Sequence, residues 1–544
     1  MQTGPLFGVL GLLATTQTKQ FDPFLADLTH QGPRTLHHGW ANLTVETNTG
    51  TFIGMYNDTY PNVRQFLRIP FAQRPDILFA VGLFDPLWQP PVGDLRWEPP
   101  QKLSNSSKVY DSTRFGPACP QYVSSSHVFW NKYAPPNPLL SLGERRDQGA
   151  VAWSSDEDCL SLAVWTPSYA NKSSQLPVAL FATGGGGLTG GITVPSQLPE
   201  QWVSRSQEHI VVTINYRVNI FGNPKSRAVQ ETSLTLLDVR AAVEWVHENI
   251  QQFGGDRDNI LLWGESQGAR LVDMYTTAFW EMPLATKFGL LSNGPDYIIN
   301  TTEVQDPYAD FDVVAKGLGC DYGDDYKAEL ECMRQVSWVQ IEEFINRYDK
   351  KPSIAFDNYI PDEKYIFANK SDRYAKHLVA RGPAIRSTTS TELQPSPNLT
   401  QTAEVARYFD CFALRDIKLR ESIGLESFRY FYVGNYSNIS PQPWLGAYHW
   451  TDLLMIFGTY VKMVGDTPQA EIDTSAAMQD YFVAFLKEGA NVTSSVGWPV
   501  FKHQGKNNGS IIEFGARGSP ARNITGDYLD ASCYNASVPF PILS

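Results

Sequence analysis

The stretch "NILLWGESQGARLVDMYTTAF", residues 259–279, decides the fold. Its opening run, Ile260 to Trp263, reads as a buried strand broken at Gly264, and the segment from Ala269 reads as a helix. Between them Ser266 sits in the frame G-x-S-x-G. Small residues flanking a serine let the chain turn sharply enough to lift Oγ above the sheet, and the helix that follows aims its amino terminus at a developing negative charge. The five-residue frame alone is a weak signal. A strand directly before it and a helix directly after it make the nucleophile reading specific, against the plainer one of a serine in a glycine-flanked turn.

The neighbouring sequence repeats this strand-and-helix rhythm. "PVALFAT" (177–183) and "IVVTINY" (210–216) are short apolar runs, the second rich in β-branched residues. Between 234 and 253, apolar residues at Leu237, Ala241, Ala242, Trp245, Val246, Ile250 and Phe253 make a helical stripe that "FGGD" ends with glycine. "GPAIRSTT" (382–389) and "FRYFYVG" (428–434) read as two further strands. Strands alternating with helices predict an α/β fold around a mostly parallel sheet. Reactive groups in such sheets gather at the carboxyl ends of the strands. Ser266, the glycines 184–187, Glu392 and His449 all follow expected strands, which predicts that they meet.

A serine hydroxyl needs a base within hydrogen-bond reach. Of nine histidines, His247 lies in a charged helix, and His37 and His38 lie in a polar stretch near the amino terminus. His449, in "GAYHWTDLLMIFG" (446–458), lies in a loop downstream of the serine. Glu392, directly after a strand in "STTSTELQP" (387–395), supplies an acid between the two, although a glutamate in a polar loop is commonly just solvated. The run "TGGGG" (183–187) after a core strand offers backbone amides free of side-chain obstruction, suited to holding an oxyanion.

The 544 residues, 42% hydrophobic and 19% charged, are ample for a large buried core. A net charge of −13 argues against a nucleic-acid partner, which would need a basic face. No run approaches the ~20 apolar residues of a membrane span, and the tail "NASVPFPILS" is too short and polar for a lipid-anchor signal. The apolar run Pro5–Ala14 predicts a signal peptide over residues 1–18, leaving 19–544 as one domain. Two features agree with secretion. Thirteen N-x-S/T sites occur, at Asn42, Asn57, Asn105, Asn171, Asn300, Asn369, Asn398, Asn435, Asn438, Asn491, Asn508, Asn523 and Asn535. Six cysteines suit three disulfides, for which fifteen pairings are open.

Several longer strings together resemble the type-B carboxylesterase/cholinesterase family of the α/β-hydrolase fold. They are "RFGPACPQ" (114–121), "EDCLSLAVWTP" (157–167), "INYRVNIFG" (214–222), "LLDVRAAVEWVHENIQQFGGDRDNILLWGESQGA" (236–269) and the histidine loop 446–458. The resemblance runs from about Thr51 to the carboxyl end. It implies helices on both faces of a twisted sheet, with long insertions forming a cap. By position it implies Ser266 as nucleophile, Glu392 as acid and His449 as base. The oxyanion donors would be the amides of Gly185, Gly186 and Gln267, and the cysteine pairs Cys119–Cys159, Cys320–Cys332 and Cys411–Cys533. The substrate would be a small-molecule ester, with no metal or organic cofactor required.

The chain departs from the family at four places. Gln267 replaces an alanine, and its side chain is expected to project near the reaction centre and shrink or polarise the pocket. Thr183 replaces the histidine before the glycines, and Gly187 an aromatic residue after them. Leu393 replaces a glycine after the acid. The segment between Glu392 and His449 is short, which predicts a reduced cap. Trp130 and Trp153, between the first two cysteines, are candidates to line a gorge. An acyltransferase or lactone-forming enzyme using the same three residues, and a binding protein that has lost its chemistry, remain open alternatives.

Overall fold

The computed structural model describes residues 43–73, 95–122, 155–294, 304, 306–393, 395–463, 465–504 and 507–542. The expected signal segment, Asn42, Asn300, Trp130 and Trp153 lie outside them. Eleven strands form the central sheet. In chain order they are β1 (Met55–Asn57), β2 (Tyr60–Pro70), β3 (Ser161–Pro167), β4 (Leu176–Ala182), β5 (Ile210–Ile214), β6 (Gly255–Glu265), β7 (Lys287–Leu291), β8 (Ala384–Thr389), β9 (Ser427–Tyr432), β10 (Ser510–Ala516) and β11 (Ser519–Thr525). Across the sheet the order is β11-β10-β9-β8-β7-β6-β4-β5-β3-β2-β1. Every pair from β5 through β4, β6, β7, β8 and β9 to β10 is parallel, and the remaining pairs at the two edges are antiparallel. This is the mostly parallel α/β-hydrolase sheet that the sequence predicts.

The central strands are apolar on both sides because both faces are covered. On one face Ile260 and Leu262 of β6 pack with Val178, Leu180 and Ala182 of β4. Above them lie helices α1 (Leu234–Asn249) and α2 (Gln267–Ala278), through Val239, Val243, Val246, Leu271 and Val272. On the other face Leu261 and Trp263 pack against Trp202, Phe457 and Phe482. Phe482 belongs to a later helix, Gln469–Glu488, and two more helices, Leu399–Ser422 and Gly526–Tyr534, stand beyond β9 and β10. The disulfides are Cys119–Cys159, Cys320–Cys332 and Cys411–Cys533, the last joining those two helices. No helix among the described residues is long and apolar enough to cross a membrane.

Local boundaries differ slightly from the sequence reading. The strand continues through Gly264 to Glu265, and α2 begins at Gln267, two residues before Ala269. The glycine does not break the ladder, since Gly264 still pairs with Ala182 and with Leu290. What it provides is room: a Cβ at Gly264 would lie 2.4 Å from the Gly268 carbonyl carbon, and one at Gly268 only 2.0 Å from the Ala182 oxygen. The two glycines of the frame are there because the turn, the helix start and β4 touch backbone to backbone.

Candidate active site

Because β4, β6, β7, β8 and β9 run parallel, their carboxyl ends share one edge of the sheet, and the candidate residues collect there. Ser266 follows β6 with φ 56° and ψ −120°, a conformation a non-glycine residue occupies only when its surroundings impose it. Its N–H is fixed to the Leu291 carbonyl at 2.9 Å. Ser266 is half-buried, whereas both its neighbours, Glu265 and Gln267, are buried. The turn pushes one side chain out of an otherwise closed layer.

Glu392, after β8, is fully buried, and all its bonding capacity is directed. Oε1 accepts from Ser292 Oγ at 2.7 Å and from the Thr389 N–H at 2.8 Å. Oε2 lies 2.6 Å from His449 Nδ1. The histidine loop is fastened to this same turn, since the Thr391 N–H donates to the Ala447 carbonyl at 3.0 Å and Thr391 Oγ1 to the Leu445 carbonyl at 2.5 Å. Phe409 stands edge-on to the imidazole, ring centres 5.8 Å apart. The ring of His449 is therefore held by its partner, by its loop and by an aromatic neighbour.

Its other nitrogen, Nε2, reaches the serine turn: Glu265 Oε1 is 3.1 Å away. Neither atom has a hydrogen-bond partner among the described residues, so this is an ion contact that leaves Nε2 unclaimed. Burial, foremost, pushes the Glu265 carboxyl up to about 8. Burial would lower the imidazole, but the carboxylates of Glu265 and Glu392 outweigh it and raise His449 to about 9. Asp452 is raised to about 6, chiefly by burial, and accepts from Tyr430 Oη at 2.6 Å.

The glycine loop closes the site from β4. Gly185, Gly186 and Gly187 have φ of 123°, 65° and 75°, values that side-chain-bearing residues rarely adopt. An ideal Cβ on Gly184 would be 3.2 Å from Ser266 Cβ, while one on Gly186 would meet nothing within 4 Å. The loop therefore passes close to the serine and leaves Gly186 beside open space. Thr183, standing where the histidine was expected, anchors the loop through its backbone, its carbonyl accepting from Tyr216 Oη. The amide of Gln267, first in α2, has no partner within its own helix, as at any helix start.

The Gln267 side chain corrects the sequence reading. It does not enter the reaction centre. It is fully buried, donating from Nε2 to Tyr359 Oη at 2.6 Å and accepting from Arg270 Nη1.

Residues 86–407 match the profile of the Carboxylesterase family. The chain belongs to the carboxylesterase family. It is 34% identical over 527 residues to a chlorogenic acid esterase of Aspergillus niger, which covers 92% of this chain and 96% of that protein. It is 31% identical over 503 residues to secreted lipase 5 of Gibberella zeae, covering 84% and 88% respectively. It is 29% identical to the acetylcholinesterase of Electrophorus electricus over 50% of this chain and 40% of that one. The protein is thus a carboxylic ester hydrolase of the α/β-hydrolase fold acting on small-molecule esters.

Two groups of this carboxylesterase's site are absent from the sequence reading. Glu265 had a signal, as a carboxylate closing a strand otherwise wholly apolar from Ile260 onward. Tyr359 had none, because its position beside Gln267 depends on an insertion more than ninety residues away.

Proposed function

We propose that this carboxylesterase cleaves its substrate in two steps through an acyl-enzyme on Ser266. Ser266 Oγ attacks the ester carbonyl carbon while its proton passes to His449 Nε2. The oxyanion is held by the amides of Gly185, Gly186 and Gln267. His449 then gives the proton to the departing alcohol oxygen, the C–O bond breaks, and a water repeats the sequence to release the acid. Glu392 Oε2, facing Nδ1 at 2.6 Å, keeps the proton of the neutral ring there, so that Nε2 is the basic atom. The observation that carries the reading is the 2.6 Å Glu392–His449 contact, with the opposite ring nitrogen turned to the strained Ser266 turn.

The chain is secreted, with residues 1–18 as the signal peptide and 19–544 as one domain. Three disulfides, the abundance of N-x-S/T sites and a relative named as a secreted lipase support this. The relative named as a chlorogenic acid esterase supplies a substrate candidate, chlorogenic acid. Turnover across chlorogenic acid and aryl and alkyl esters of graded acyl length, with wild type and Ser266→Ala side by side, tests the reading. The variant is expected to lose all turnover while folding normally; undiminished hydrolysis by it overturns the serine mechanism.

A further inference from the structure

We propose that the side chain of Gln267, and not its amide alone, positions the oxyanion loop: hydrogen-bonded to Tyr359 and Arg270, its carboxamide backs the loop at Gly187 and limits its displacement. The proposal rests on the serine mechanism above and names a further positioning group within it.

The loop needs such a support. Gly184 to Gly187 carry no side chains, so none of them can pack or hydrogen-bond through one, and glycine backbone loses more freedom on ordering than any other. The family aromatic residue that would follow the glycines is missing, its place taken by Gly187. The Leu188 and Thr189 N–H groups fix the Gly185 carbonyl at 3.0 and 3.1 Å, which leaves the stretch through Gly186 and Gly187 to be placed.

Gln267 lies in the right place to do so. A Cβ built on Gly187 would be 3.4 Å from Gln267 Cδ and 3.5 Å from its Nε2, ordinary contact distances. The carboxamide therefore faces Gly187 at about one methyl's reach, on the side a Cβ would occupy, and limits how far the loop can shift towards it. Both of its ends are tied, Nε2 to Tyr359 Oη at 2.6 Å and Oε1 to Arg270. Tyr359 is itself on a fixed post, since the residues before it are bonded to a different part of the chain. Asn223 Nδ2 donates to the carbonyls of Phe356 at 3.1 Å and Asn358 at 2.5 Å, and Lys225 Nζ to Asn358 Oδ1 at 2.5 Å. From the other side the Asn219 N–H holds the Gly187 carbonyl at 2.7 Å. Gly187 is thus tied to Asn219 and backed, within a methyl's reach, by Gln267. Because Gln267 also contributes an amide to the oxyanion, one residue carries a donor and sets the distance to the other two.

Donors aimed at an oxyanion act on the tetrahedral state and little on the bound ester. Loosening the loop should therefore appear in kcat. The test uses Gln267→Ala, Gln267→Met and Tyr359→Phe. All keep the residue-267 amide; the methionine keeps the volume and loses both hydrogen bonds, and the phenylalanine removes one hydroxyl. Each is assayed for kcat and KM on an aryl ester and for inhibition by an aryl trifluoromethyl ketone, which adds Ser266 Oγ to its carbonyl and mimics the tetrahedral state. For Gln267→Ala and Gln267→Met, kcat is expected to fall about 10- to 100-fold, with ketone affinity falling by a similar factor and KM within about threefold. Tyr359→Phe should fall less, in the same pattern, and carries the test alone if the position-267 variants do not fold. Wild-type kcat and ketone affinity in Gln267→Met, or a loss confined to KM, overturns the proposal. Ser266→Ala run alongside separates the two failures. If it is inactive while the Gln267 variants behave as wild type, only the positioning role falls; if it turns over normally, the serine mechanism itself has failed.

Discussion

At the scale of single residues, the geometry around His449 sets the pH dependence. A base must be neutral to accept the serine proton, and two carboxylates facing the ring, Glu265 Oε1 at 3.1 Å and Glu392 Oε2 at 2.6 Å, favour its charged form. They raise the imidazole, so the neutral fraction grows only as pH climbs towards that raised value. Replacing Glu265 by glutamine removes one of these charges and lowers the imidazole. The acid limb of kcat/KM is then expected to move to lower pH, and a pH-rate profile of Glu265→Gln checks the sign: a limb displaced upward would contradict the assignment of His449 as the titrating base. Glu392 itself keeps its bonding pattern despite the leucine that follows it. Leu393 adopts φ 55°, the left-handed conformation the family glycine would take. The backbone turn is retained, at a strain cost on the order of 1–2 kcal/mol.

At the scale of elements, stability beside the site depends on a buried ion triad. Arg429 of β9 is fully buried, with Asp410 on helix Leu399–Ser422 at 2.5 Å and Asp530 on helix Gly526–Tyr534 at 2.7 Å. Burial, foremost, pushes Asp410 up to about 7, while the two carboxylates raise Arg429 in spite of its own burial. Arg429→Met would leave two buried acids without a counter-charge, and urea denaturation is expected to register a loss of about 3–5 kcal/mol. A change below ~1 kcal/mol would mean that the acids can take up protons or reach water at little cost. The strand-turn-helix element has its own sharp constraint. Gly268→Ala places a methyl carbon 2.0 Å from the Ala182 oxygen, so the variant is expected to accumulate as insoluble protein or to lose turnover with a lowered Tm. Soluble Gly268→Ala with wild-type kcat and Tm would show that the turn has slack the contact distances deny.

At the scale of the whole molecule, the burial pattern separates the sequence sites for glycans. Asn438 is buried and donates from Nδ2 to both Glu471 oxygens, at 3.2 and 3.0 Å. Asn105, Asn171, Asn369, Asn398, Asn435, Asn491, Asn523 and Asn535 are exposed. Glycopeptide mass spectrometry of the secreted protein should find Asn438 unmodified and glycans confined to exposed sites; a glycan on Asn438 would contradict its buried contact with Glu471. What the sequence made legible was whatever depends on local pattern. That a strand and then a helix flank Ser266 follows from periodicity and glycine placement, although the strand's ends did not, and Glu392, which the structure sets against His449, was singled out chiefly through the family resemblance. What it hid depends on packing between distant segments. The side chain of Gln267 had to go somewhere, and only the position of Tyr359 and Arg270 sends it beneath the glycine loop instead of into the pocket. Glu265 looked like one more acid until the fold brought His449 to it.

The proposed mechanism requires Ser266 to be made nucleophilic by His449, and covalent labelling measures that directly. Wild-type protein treated with a fluorophosphonate and digested should carry the label on the peptide containing Ser266, and His449→Ala, folded and equally concentrated, should label far more slowly. Label on another residue, or labelling of Ser266 at an undiminished rate without the histidine, would contradict it.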